Sequence, residues 1–302
     1  MNFYSNGKLL ITGEYLVLDG AKSLALPTKY GQFLHVTTNL NKKGVLTWQS
    51  LDLNDAVWFS CELELATFKL IKTSNKATAK TLIKLFLEIR KRKPYFLKTV
   101  ESVNVKTKLN FAQNWGLGTS STLVNNLAAW ANIDAFDLQF KIFGGSAYDI
   151  ACAKKDQPII YQLNDKKPII KEVLFNPPFK DHLFFVHLNK KQNSRDAITA
   201  YKKYTKDTSF AIAKVNAITE QLQTTNSLSS FEKLIKTHEE IISKIIGITP
   251  IQERLFSDYS GQIKSLGAWG GDFILATGNE DTIRYFKNKG FHTILPFNQI
   301  IL

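Results

Sequence analysis

Asn114-Trp115-Gly116-Leu117-Gly118-Thr119-Ser120-Ser121 places two glycines ahead of three hydroxyl residues. Glycine lets the backbone approach an anion closely and take conformations closed to residues with a Cβ. Ahead of this stretch Val100 to Lys108 alternates as a strand. Behind it, Thr122 to Trp130 is helical in composition, so a helix is expected from Ser120 onward. A loop between a strand and a helix aims unsatisfied N–H groups, and the positive end of the helix dipole, at whatever occupies it. The hydroxyls of Thr119, Ser120 and Ser121 suit phosphate oxygens or a magnesium ion. This is not a Walker A loop, because no Gly-Lys-Ser/Thr closes it. Taken alone, such a turn serves equally well as a helix cap.

Working outward toward the N-terminus, Lys8-Leu9-Leu10-Ile11-Thr12 reads as a buried strand broken by Gly13-Glu14-Tyr15, and Asp19-Gly20 carries a hairpin signal. Gln32 to Thr38 is β-rich, and Val45-Leu46-Thr47-Trp48 is expected beside it. Apolar residues at helical spacing (Leu82, Ile83, Leu85, Phe86, Ile89) predict a helix over 78–90. A second helix over 136–143 ends at Gly144-Gly145. Beyond Pro177-Pro178 come a strand at 183–188, helices around 196–222 and 229–246, a strand at 273–276 and a helix at 282–289. The double proline is the expected boundary between an N-terminal domain, 1–176, and a C-terminal domain, 177–302.

The net charge of +13 suits an anionic partner, but the lysines are scattered. The densest cluster, Arg90-Lys91-Arg92-Lys93, sits where the last turn of a helix collects cations against its dipole. Nucleic-acid binding, which would fall steeply with salt, finds no reading motif and no basic stripe in the chain. Two cysteines, Cys61 and Cys152, are expected as buried thiols rather than a disulfide or metal framework. No run approaches the roughly 20 apolar residues of a membrane span. The N-terminus shows no secretion signal, so a cytoplasmic protein is expected.

Three further segments complement the glycine loop. In Gly144-Gly145-Ser146-Ala147-Tyr148-Asp149-Ile150-Ala151, the carboxylate of Asp149 follows a small-residue turn, where it would hold magnesium, take a proton from an attacking hydroxyl or cap the next helix. Lys8 opens a buried strand, where a lysine is costly unless paired. Ser265-Leu266-Gly267-Ala268-Trp269-Gly270-Gly271-Asp272 forms a late glycine-rich turn before a strand.

In this order the segments resemble the GHMP kinases, the superfamily of galactokinase, homoserine kinase, mevalonate kinase and phosphomevalonate kinase. Gly7-Lys8-x4-Gly13-Glu14-Tyr15 resembles the first family motif, 116–121 the ATP-binding second, and 265–272 the third; Gly145 to Ala151 also matches. The resemblance covers almost the whole chain. It implies an α+β, two-domain fold, with an α/β N-terminal domain joined to a ferredoxin-like C-terminal domain. It implies ATP and Mg2+ as cofactors, and catalytic roles for Lys8 and Asp149. Asn114, Gly116, Leu117, Gly118, Thr119, Ser120 and Ser121 would bind the nucleotide, with Ser120 also on the metal. Glu14, Tyr15, Ser146, Tyr148, Ser194, Arg195, Gly267, Gly270, Gly271 and Asp272 would bind an anionic alcohol. No nucleic-acid or membrane partner is expected, and a homodimer is compatible.

Departures from the family pattern are specific. Phe111-Ala112-Gln113 stands where a proline usually precedes the loop, and Thr119 replaces a commoner serine. Trp269 stands where glycine is usual, which predicts a bulkier third loop. Asp137-Leu138-Gln139 lacks a glutamate found in several mevalonate kinases. Gly-Glu-Tyr-Leu-Val-Leu-Asp-Gly at 13–20 and the Gly-Gly-Asp ending at Asp272 resemble phosphomevalonate kinases more than mevalonate kinases. Lys190, Lys191, Ser194 and Arg195 are candidate grips for a substrate phosphate. Phosphomevalonate is therefore the expected acceptor, with mevalonate or another GHMP alcohol as the alternative.

Overall fold

The computed structural model describes residues 1–38, 43–190, 198–199, 201–203, 207–269 and 271–302. In the strands at 45–51, 57–64 and 103–109, buried residues alternate with more exposed ones, so one side of each pleat enters the core. In the first of two units (Met1–Gly7, Tyr30–Gln113 and Gly118–Lys154), the sheet runs β5-β4-β3-β6-β2. These strands are β2 (Ser23–Thr38), β3 (Val45–Leu51), β4 (Val57–Glu64), β5 (Leu70–Thr73) and β6 (Val103–Leu109), while β1 (Asn2–Leu10) pairs with β2. Leu34 and Val36, Leu46 and Trp48, Phe59 and Cys61, Val103 and Val105 all enter one core. Helix α1 (Lys76–Arg92) covers it with Leu82, Leu85, Phe86 and Ile89, and α2 (Thr119–Ala131) with Val124, Leu127 and Ala128. The layer is completed by α3 (Ala135–Ile142) and α4 (Tyr148–Ala153). Strands β3 and β6 are parallel, which needs the long crossover that β4, β5 and α1 provide.

The second unit comprises Lys8–Lys29, Asn114–Leu117 and Lys155–Leu302. Ser23 to Ala25 of β2 pair with β7 (Ile159–Asn164), which pairs with β8 (Lys167–Glu172). A four-stranded antiparallel sheet has the order β10-β11-β9-β12, from β9 (Leu183–His187), β10 (Ile263–Ser265), β11 (Phe273–Thr277) and β12 (Ile294–Pro296). The helices are α5 (Ser209–Thr224), α6 (Leu228–Ile246), α7 (Ile251–Leu255), α8 (Asp281–Asn288) and α9 (Phe297–Ile300). Helix α6 buries a stripe of Phe231, Ile235, His238, Ile242 and Ile245, at the spacing of one helical face. The chain is thus α+β.

Several local expectations change. The first strand begins at Asn2 rather than Lys8, because its polar start is held by pairing to β2 and not by apolar pattern. Asp19-Gly20 makes no hairpin: Leu16–Asp19 is a short 3-10 helix, and left-handed Gly20 donates its N–H to the Leu16 and Val17 carbonyls. The same Gly signal serves both devices. Strand β3 lies between β4 and β6, so Val45–Trp48 is not the neighbour of 32–38; parallel pairing through β6 intervenes. The helix expected from 196 begins, in its continuous part, at Ser209; residues 191–197, 200 and 204–206 lie outside the described residues. Pro177-Pro178 falls inside the second unit rather than between units, and the first unit also gives up 8–29 and 114–117. Among the described residues, no helix is long and apolar enough to cross a membrane.

Candidate functional site

In the second unit, Lys8 is half-buried near the end of β1 and is paired, as a lysine in that setting must be. Its Nζ donates to the Gly116 carbonyl at 2.9 Å, and its backbone N–H to the Leu117 carbonyl at 3.0 Å. Gly116 has φ 68°, and a Cβ there would lie 2.4 Å from Cγ of Asp272. Only glycine fits, and it brings the loop backbone against that carboxylate. Asn114 is exposed, but its carbonyl accepts from Nε2–H of buried His187 at 3.1 Å. Trp115 meets Phe273 edge-on, with 5.6 Å between ring centroids. The loop entrance is therefore anchored to β9 and β11. Lys8, Gly116, Leu117, Gly267 and Asp272 come together in this unit.

In the first unit, Gly118 caps α2 with φ 94° and no side-chain cap bond, which leaves the first-turn N–H groups of α2 to other partners. The hydroxyls divide their roles. Ser121 is buried and donates to the Gly118 carbonyl at 2.8 Å, whereas Ser120 is exposed. Thr122 donates to Gln32 Oε1 at 2.9 Å and pins the helix start to β2. Asp149 is not the cap of α4: Ala147, at φ 61°, takes that position, and Asp149 lies in the first turn with Oδ1 accepting from its neighbour Ile150 N–H at 3.2 Å. It is half-buried, as is Tyr148, while Ser146 is buried.

The third turn differs most from expectation. Trp269 is 2% exposed and lies in a core cluster with Tyr15, Leu16, Ala21, Val215, Ile242 and Ile245. Its bulk fills the interior beneath the first loop instead of crowding a pocket. Tyr15 is likewise 7% exposed, and burial pushes its phenol well up from the ordinary value. Both rings are buried in that cluster. Ser194, Arg195 and Gly270 lie outside the described residues, as does Lys191. Lys190 is described and exposed, and its carbonyl accepts from the Asp272 N–H at 2.7 Å. Gly271 is buried.

Sequence reasoning missed a buried polar cluster between the first and third segments. Glu14, 1% exposed, accepts from Lys264 Nζ at 2.5 Å, and Lys264 also donates to the Ser265 carbonyl at 2.8 Å. Glu239 accepts from Ser265 Oγ at 2.9 Å, with Oε1 3.6 Å from Lys264. His238 Nε2 accepts the Gly13 N–H at 2.9 Å. Burial pushes His238 far below its usual range, so the imidazole is neutral with its proton on Nδ1. Burial also raises Glu14, opposed by Lys264, and pushes Glu239 up to about 7. Glu14 holds Lys264. The available signal was a histidine and a glutamate on the apolar stripe of α6, and a lysine between Ile263 and Ser265.

Two surface clefts of the second unit, about 340 and 480 Å³, involve other residues, the first bordered by Phe175 and Phe297, the second by Tyr259 and Tyr285. Among the described residues no group of three or more His, Cys, Asp or Glu could cage a metal. An exposed hydroxyl such as that of Ser120 fits magnesium nonetheless, because that ion is commonly held by one or two protein oxygens together with substrate phosphates and water.

No protein-family model and no curated protein sequence matches the chain. Solved structures match over nearly its whole length. The mevalonate kinase of Methanococcus jannaschii has a TM-score of 0.69 at 14% identity, over 98% of this chain and 96% of that one. The phosphomevalonate kinase of Streptococcus pneumoniae, solved with phosphomevalonate and AMPPNP, has a TM-score of 0.65 at 16% identity, over 96% and 95%. Galactokinase of Lactococcus lactis, solved with galactose, has a TM-score of 0.65 at 12% identity, over 95% and 87%. The chain has the GHMP kinase fold. Segment 7–15 covers the end of β1 and its exit turn, 116–121 the entry to α2, and 265–272 the link from β10 to β11.

Proposed function

We propose that the chain is an ATP- and magnesium-dependent phosphotransferase of the mevalonate route to isoprenoid precursors, with phosphomevalonate as its acceptor. The observation that carries this reading is the turn 116–121 in a chain of GHMP kinase fold. Lys8 binds the carbonyl of its first glycine, and its second glycine opens a 13-residue helix with exposed Ser120 in the first turn. A helix N-terminus of that kind suits phosphate oxygens.

The roles follow residue by residue. Backbone N–H groups from Gly116 to Ser121 hold the nucleotide phosphates. Ser120 holds magnesium, which when bound with the nucleotide supplies neutralisation of phosphate charge. Asp149 takes the proton of the acceptor hydroxyl; the freed oxygen attacks the γ-phosphorus as its bond to the ADP oxygen breaks. Lys8 is the cation of that transfer, and its bond to Gly116 pre-orients it. Asp272, whose carboxylate lies against Gly116, shapes the loop rather than offering a charge to phosphate.

Support for phosphomevalonate comes from Gly-Glu-Tyr-Leu-Val-Leu-Asp-Gly at 13–20, from the Gly-Gly-Asp ending at Asp272, and from a basic chain suited to a doubly anionic acceptor. Coupled ATP-consumption assays with mevalonate, phosphomevalonate, homoserine and galactose test this. Fastest turnover is expected with phosphomevalonate. Preference for mevalonate over its phosphate would reject the acceptor, and no turnover with any alcohol would reject the kinase.

A further inference from the structure

Lys264 is fully buried, and three oxygens lie around its ammonium, two of them on the segments that flank the proposed chemistry. One is Oε1 of Glu14 at 2.5 Å, on the turn that leaves the strand of Lys8. Another is the Ser265 carbonyl at 2.8 Å, at the start of the turn 265–272. The third is Oε1 of Glu239 at 3.6 Å, on α6. Ser265 Oγ closes the circuit onto Glu239, and Gly13 N–H onto His238 beside it. Two carboxylates thus share one buried ammonium, and Oε2 of Glu14 and Oε1 of Glu239 find no hydrogen-bond partner among the described residues. Pairing buried charges rarely adds net stability over an apolar core, so a different role is indicated for this cluster.

We propose that Lys264, shared between Glu14 and Glu239, is a positioning residue that sets the first loop, and through it Lys8, against the turn 265–272. The proposal rests on the kinase reading for its effect on turnover, but not for its effect on the loop. When Glu239 carries a proton, Glu14 alone holds the ammonium and the first loop is drawn onto β10. When Glu239 is ionised, it competes for the same cation and the hold on Glu14 loosens. The groups facing Glu239 are Lys264 and Ser265 from β10 and Glu14 from the first loop; neutral His238, next to it in sequence on the same helix, lies 3.5 Å from Glu14. Burial places its titration at about 7, within the working range of an enzyme.

The test uses the full chain with Lys264→Met, Lys264→Arg and Glu239→Gln. It reads melting temperature, amide exchange over residues 8–20, and kcat and KM from about pH 5.5 to about pH 9 with the alcohol that the wild type phosphorylates. Wild type is expected to exchange faster over 8–20, and to lose kcat, as pH rises through about 7. Glu239→Gln keeps an acceptor for Ser265 and is expected to fold and to lose that pH dependence. Lys264→Met is expected to raise exchange over 8–20 and lower kcat by at least about tenfold, with KM for ATP within about threefold, and Lys264→Arg to recover part of both. A folded Lys264→Met with wild-type exchange and kcat would overturn the proposal. So would a wild type without the pH dependence, or a Glu239→Gln variant that keeps it, which decides the matter if Lys264→Met does not fold. Should the wild type phosphorylate no alcohol, the kinase reading fails, and exchange over 8–20 alone decides the positioning role.

Discussion

Gly116 shows how one missing Cβ organises the loop. Its φ of 68° is in the left-handed region, where any other residue costs about 1–2 kcal/mol, and Asp272 already occupies the space a side chain would need. Gly116→Ala is therefore expected to push Asp272 or the loop backbone aside and to raise KM for ATP by at least about tenfold, as read by initial rates at saturating acceptor. Asp149 makes the opposite case, a side chain whose chemistry matters more than its space. Asp149→Asn is isosteric and keeps an oxygen for the Ile150 N–H, yet kcat is expected to fall at least about 100-fold. Near-normal turnover by that variant would remove Asp149 from the role of base. Tyr15 and Trp269 are both prominent within motif-like segments, and both lie in one core cluster. Large aromatic rings bury well wherever the chain can turn them inward.

At the scale of elements, the entry to α2 separates two serines that look equivalent in sequence. Ser121 commits its hydroxyl to the Gly118 carbonyl, so Ser121→Ala is expected to cost about 1 kcal/mol in urea unfolding and to leave the magnesium dependence unchanged. Ser120→Ala should do the reverse: ordinary stability, with a magnesium titration of activity shifted to higher concentration. The basic end of α1 is structural. Arg90 stacks over Phe68 with 3.8 Å to the ring centroid and donates to the Leu65 carbonyl at 2.9 Å, while Lys91 and Arg92 pair with Glu88. Arg90→Ala is expected to destabilise the fold by about 1–3 kcal/mol without altering kcat, a result that denaturant unfolding and the turnover assay check together.

For the whole molecule, the buried cluster gives stability a pH dependence with a definite sign. Glu239 is raised from 4.5 to about 7 in the folded chain, so the folded state binds its proton more tightly than the unfolded state does. The contribution is complete below the unfolded value and is lost as pH rises through about 7, amounting to as much as about 3 kcal/mol. Glu14 is shifted in the same direction by the same cause. Urea midpoints measured from about pH 5 to about pH 8 are expected to fall in the wild type and to fall less in Glu239→Gln. Equal slopes in the two proteins would show that Glu239 titrates at its ordinary value.

By itself the sequence determined what depends on local pattern. The helices α1, α2, α3, α6 and α8 were legible from apolar spacing, and the strand–glycine–helix unit at 100–131 from the order of its residue types. The three segments were legible through their resemblance, in order along the chain, to the GHMP kinase motifs. Only the tertiary structure decided which of the motif residues face outward. That Ser120 is exposed and Ser121 is not, that Trp269 lies under Tyr15, and that Glu14 holds Lys264 across 250 residues of chain are consequences of long-range packing. Strands β4, β5, β7 and β8 escaped notice although their partners are close in sequence: β4 pairs with β3 and β5, and β7 with β8. A charged residue on an apolar stripe reveals its counter-ion only when the opposing element is packed against it.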